Sequence, residues 1–162
     1  MHQGPWLTEA TALFSFRKEQ KMEKLIYSIA DLSVCIESPQ SLEITGESDP
    51  FLKSEETDWD DQIILVPVDS LPPMEAAGVW HQDRYYVGVQ AGEIFHIRSA
   101  PGVPPYAVIK YKEGQPICIF YLRDSKDMIF ESGYLLNMLG LEQLLLRHDG
   151  LILHSSFIRW QG

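Results

Sequence analysis

The sequence has little cysteine, little positive charge and no long apolar run, and each shortage excludes a class of protein. Two cysteines among 162 residues, Cys35 and Cys118, with no CxxC and no Cys/His cluster, give no support to a zinc site. Both lie in strand-like apolar runs and read as buried thiols, packed as small hydrophobes. Lys and Arg number 13 against 23 Asp and Glu, a formal net charge of −10. Binding to phosphate backbones needs clustered cations, so no nucleic-acid partner is expected. The same charge disfavours attachment to an anionic membrane surface. No run approaches the ~20 apolar residues needed to span a bilayer. The first residues, MHQGPWLTEATALFSFRKEQKMEK, lack the ~7–15-residue apolar core of a secretory leader. A cytoplasmic protein is therefore expected.

What is present is globular: 45% hydrophobic and 22% charged residues, enough to bury a core without disulfides or a structural metal. Residues 1–21 read as an N-terminal extension. Trp6, Leu7, Ala10, Leu13 and Phe14 recur there at helical spacing. Residues 22–162 read as a single domain.

From Lys24 the texture is β. Lys24–Ala30 and Leu32–Glu37 are rich in Ile, Val and Tyr, and Asp31 marks a bend between them. Pro39 ends the run, and Leu42–Thr45 has the composition of a short strand. Gly46 to Asp61 is markedly acidic, with Lys53 its single cation. Glu55, Glu56, Asp58, Asp60 and Asp61 are oxygen donors of the type that bind a hard cation. The stretch does not follow the D-x-D-x-D-G calcium-loop pattern, so it reads as a solvated surface loop, and no metal is expected.

Gln62–Val68 is a strand of the fully buried type, with Pro67 near its end. A short strand ending at Trp80 follows. Arg84–Gln90, Glu93–Ser99, Tyr106–Lys112 and Pro116–Arg123 come next, separated by turn-forming residues, which predicts an antiparallel meander. His96 shares a strand face with Ile94 and Arg98 and reads as a structural or surface histidine, as does His81 in its turn-like context.

Tyr134 to Gly162 is the most apolar part of the chain. Ser132 is a plausible N-cap. Leu135, Leu136, Met138, Leu139, Leu141, Leu144, Leu145 and Leu146 make a wide apolar helical face, with Asn137, Glu142, Gln143 and Arg147 largely outside it. Arg147 and His148 suit the negative end of the helix dipole, and Asp149-Gly150 stops the helix. A final strand then alternates Ile152, His154, Ser156, Ile158 and Trp160 with Leu151, Leu153, Ser155, Phe157 and Arg159. The expected fold class is α+β: a largely antiparallel sheet with a C-terminal amphipathic helix followed by a last strand. That strand is a candidate edge for pairing two copies into a dimer. His154, in a polar interruption of an apolar strand, reads from spacing as a core histidine bonded to a carbonyl. No GxSxG elbow supports a serine nucleophile.

The segment LGLEQLLLRHDGLILHSSFIRWQG resembles the one that leads into the nucleotide-binding loop of the HPr kinase-like family, whose core is of the phosphoenolpyruvate carboxykinase-like P-loop type. His154 matches the family histidine and Gly162 the turn glycine. The resemblance covers about the last 24 residues; the rest is compatible with the variable N-terminal portion of such proteins but carries no motif. It implies an N-terminal portion, not catalytic alone, of an ATP-dependent serine kinase acting on a peptide or protein. It also gives His154 a catalytic role, close to the transferred phosphate or handling a proton. This chain has no GxxxxGK(S/T), so ATP and Mg²⁺ are expected only where the P-loop region is present, and no cofactor is expected in this chain. The alternative is a protein- or peptide-binding module without catalysis, its acidic stretch favouring a basic partner.

Overall fold

The computed structural model describes residues 21–29, 32–42, 52–53, 58–73, 78–81, 85–90, 92–97, 102–111, 114–127, 144–145 and 147–148. Among these, nine strands form one sheet. They are β1 (Glu23–Ile29), β2 (Leu32–Ser38), β3 (Leu52–Lys53), β4 (Asp61–Val68), β5 (Gly78–His81), β6 (Tyr85–Gln90), β7 (Gly92–Ile97), β8 (Ala107–Lys110) and β9 (Ile117–Leu122). The spatial order is β3-β1-β2-β4-β9-β8-β7-β6-β5.

The expected meander is present. β5 through β9 pair antiparallel in chain order, and β1 and β2 form a hairpin whose register closes Ile29 on Leu32. At the turn between β8 and β9, Gly114 has φ +67, in the left-handed region that glycine enters without a Cβ penalty.

The centre of the sheet differs from the expectation. β2 pairs parallel with β4, and β4 parallel with β9, so the sheet is mixed. Strand texture reports burial but not the partner, and both parallel pairs need long connections, which local alternation cannot reveal. The residues from 39 to 60 make the first connection and include β3, which pairs on the far side of β1. The whole β5–β8 meander makes the second.

β4 is buried on both faces, which is why Ile63-Ile64-Leu65-Val66 reads as an unbroken apolar run. Ile63 and Leu65 join Val34, Ile36, Ile117, Ile119 and Tyr121 in the main core. Ile64 and Val66 pack with Phe120 on the opposite face, beside Met22, Val68 and Cys118. Pro67 is tolerated because the β2–β4 ladder ends at Ile64, leaving β9 as the partner there.

The expected α+β class with a C-terminal amphipathic helix is corrected: the described residues are mostly β, and no helix of seven or more residues occurs among them. After β9, Arg123–Ser125 form a 3-10 turn. Within the leucine-rich stretch, Leu144, Leu145 and Arg147 have helical backbone, and the His148 amide donates to the Leu145 carbonyl at 3.0 Å. Leu144 and Leu145 are buried in the main core. Two residues of the expected apolar face are thus buried, but periodicity does not fix the length of an element. The expected final strand after Asp149, with any pairing of it between copies, lies outside the described residues, as do residues 1–20. Among the described residues, no helix is long and apolar enough to cross a membrane.

Candidate functional site

The acidic stretch ends where β4 begins, and its last two residues have separate duties. Asp60 faces Ser33 at the start of β2. Its carboxylate accepts from the Ser33 amide at 2.8 Å, and its own amide donates to the Ser33 carbonyl at 2.8 Å. Asp61, the first residue of β4, is 9% exposed. One of its oxygens, Oδ1, accepts from the Gln62 amide at 2.9 Å. Oδ2 lies 3.2 Å from Arg147 Nη1 and 3.3 Å from His148 Nε2. Arg147 Nη2 donates to the Gln115 carbonyl, just before β9, at 3.1 Å. One buried carboxylate thereby gathers the start of β4, the β8–β9 turn and the helical turn at Leu144–His148.

The chemistry of this cluster is that of a clamp. Asp61 bonds to the imidazole nitrogen as the orienting acid of a catalytic pair would, yet both of its oxygens also face the Arg147 guanidinium. Arg147 is held in turn by the Gln115 carbonyl, so the cluster ties separate segments together. Nothing local in the sequence marks it. Asp61 belongs to an acidic run, Arg147 and His148 to a helical end, and 86 residues separate Asp61 from Arg147.

A second polar cluster lies across β1, β2 and β4. Glu37 is 3% exposed. Its Oε1 accepts from Gln62 Nε2 at 2.8 Å and pairs with Lys24 Nζ at 3.1 Å. The Lys24 ammonium also sits 4.7 Å from the centroid of the Trp59 ring, within cation–π range. Nearby, Lys53 Nζ donates to Ser33 Oγ at 3.3 Å, fastening β3 to the hairpin.

The structure therefore separates the candidate ligands of the acidic stretch. Asp58 is exposed, Asp60 and Asp61 serve structural bonds, and Glu55 and Glu56 lie outside the described residues. Among the described residues, no group of three or more His, Cys, Asp or Glu is placed to hold a metal ion. His96 is 7% exposed, buried on β7 and not at the surface. His81 is in β5. His154 lies outside the described residues.

Cys35, buried, and Cys118, partly buried, are not joined in a disulfide. They sit on β2 and β9 with β4 between them. Two strand spacings are roughly 9–10 Å, beyond disulfide reach. The tyrosine at the end of β9, Tyr121, is fully buried. Burial pushes its phenol up to about 12, against a smaller downward pull from the Arg123 charge.

No family model, curated protein or solved structure matches the chain.

Proposed function

We propose that this chain is the N-terminal portion of an HPr kinase-like, cytoplasmic, ATP-dependent serine kinase acting on a peptide or protein, and is not catalytic alone. In this reading the sheet supports the segment that leads to the nucleotide-binding loop. The observation that carries it is the anchoring of the helical turn at the start of the resembling segment. Leu144 and Leu145 enter the main core, and Arg147 and His148 meet Asp61 at the head of a central strand. A segment that must deliver a phosphate loop to a fixed place needs such an anchor, because phosphoryl transfer depends on positioning.

The chain carries no GxxxxGK(S/T), the motif whose backbone cradles phosphates and whose lysine reaches them. Those groups belong, in this reading, to sequence following Gly162, and His154 would work beside the phosphate they hold. The test is to read the gene beyond codon 162 and assay its full product for ATP-dependent phosphorylation of serine peptides. The expected result is a P-loop, activity in the full product, loss of turnover in His154→Ala, and none in residues 1–162. A gene product without a P-loop, or one that binds no ATP, overturns the reading.

A binding module is favoured instead by one feature. β5 ends the strand order and pairs with β6 alone among the described residues. A sheet edge of this kind accepts an extended peptide as a further strand. Amide chemical-shift changes confined to β5 on titration with a peptide library would support that reading.

A further inference from the structure

The helical turn at Leu144–His148 is held in two ways that differ in strength and in kind. Leu144 and Leu145 are 2% and 7% exposed within the core. Burial of two leucines is the larger and non-directional term. In the Asp61–Arg147 and Asp61–His148 contacts, the Arg147 and His148 side chains are 25% and 34% exposed. Ion pairs reached by water are weak and are screened by salt, but they are directional. The leucines therefore keep the turn on the sheet, while the charged contacts fix which way it is rotated. Breaking the charged contacts should free that rotation without unfolding the sheet.

We propose that Asp61 is a positioning residue and its cluster a releasable latch, which sets the direction in which the chain leaves His148 and can open while the sheet stays folded. Three contacts converge on it. The carboxylate is buried and meets both the Arg147 guanidinium, which reaches its two oxygens, and the His148 imidazole. Arg147 bridges onward to the Gln115 carbonyl, so the latch engages the sheet at two points. The His148 amide closes on Leu145 at 3.0 Å, which makes it a reporter of the latched turn. The inference goes beyond the kinase reading and stands or falls without it, since its readout involves no nucleotide.

The experiment is hydrogen exchange at the His148 amide and at the amides of β4 and β9, on the whole 162-residue chain. In Asp61→Asn, exchange at His148 is expected to rise about tenfold while β4 and β9 keep their wild-type rates, the mark of a local opening. In the wild type, raising salt to about 1 M should speed exchange at His148, and in Asp61→Asn it should do nothing further. Unchanged exchange at His148 overturns the latch. So does an equal rise across β4 and β9, which would mean general loss of stability, or a salt response that persists in Asp61→Asn. If Asp61→Asn does not fold, the double variant Arg147→Gln with His148→Gln is read the same way, and failure of that variant to fold also overturns the proposal.

Discussion

Asp60 and Ser33 hold each other twice: the Ser33 amide donates to the Asp60 carboxylate and the Asp60 amide to the Ser33 carbonyl, both at 2.8 Å. The pair stands one step ahead of Val34 and Asp61, where the parallel β2–β4 ladder begins. A side chain thus supplies a ladder bond that the backbone cannot, and the parallel centre starts from a closed end.

Removing that carboxylate should cost more than neutralising it. Asp60→Ala leaves the Ser33 amide, which is nearly buried, without its acceptor, an expected loss of about 1–3 kcal/mol. Asp60→Asn keeps an acceptor oxygen and should lose roughly 1 kcal/mol or less. Urea unfolding of both variants checks this. Equal losses would show that the bond to Ser33 contributes little.

Glu37 and Lys24 should respond unequally. The Glu37 side chain is 4% exposed and that of Lys24 is 49% exposed. Lys24→Met takes the cation from a buried carboxylate, at a cost of about 2 kcal/mol after allowance for the exposure of the lysine. Glu37→Gln leaves a lysine that water can solvate and retains an acceptor for Gln62, at a cost of about 1 kcal/mol. The double variant should be more stable than Lys24→Met alone. A double-mutant cycle with no coupling between the two sites would contradict this account.

Leu144→Ala should destabilise the fold by about 2–5 kcal/mol, the range for a fully enclosed leucine. Arg147→Gln should cost less, about 1–2 kcal/mol, because its side chain is partly reached by water and His148 still faces the Asp61 carboxylate it leaves. The order of the two midpoints in guanidinium chloride separates packing from charge at the same turn. The reverse order would mean that the turn is held mainly by charge.

Tyr121 predicts a loss of stability in alkali. Its folded-state pKa, pushed up to about 12 by burial, exceeds the ordinary phenol value of 10.0. The folded state therefore favours the neutral phenol. The associated stability is complete below pH 10 and is lost as pH rises from 10 through 12. A difference of this size corresponds to roughly 3 kcal/mol at most. Tyr121→Phe cannot ionise, so the stability difference between variant and wild type should be flat below pH 10 and then move in favour of the variant. A parallel pH dependence of the two proteins would rule Tyr121 out as the group responsible.

Much of the sheet is legible along the chain. Val, Ile and Tyr alternation and the intervening turn residues locate β1, β2, β4 and the β6–β9 meander within a few residues. The doubly apolar run at Ile63–Val66 marks a strand buried on both faces. β3 escaped notice, because two residues in an acidic stretch give no periodicity to read. The leucines of the C-terminal stretch announced burial, and Leu144 and Leu145 are indeed buried, but the long helix their spacing suggested has no counterpart of seven residues or more among the described residues. His96, read as a structural or surface histidine, is buried, which agrees with the structural alternative.

By itself, then, the sequence determined which segments are extended, where the chain turns, and that the molecule is acidic and rich in core-forming residues, since each of these follows from local propensity and composition. Only the tertiary structure decided that β2, β4 and β9 lie parallel at the centre, and that Asp61 meets Arg147 and His148. Strand propensity is a property of a few consecutive residues, whereas the choice of partner is made by whichever edges the packed core brings together. A carboxylate and a guanidinium 86 positions apart leave no local trace of each other until that core has formed.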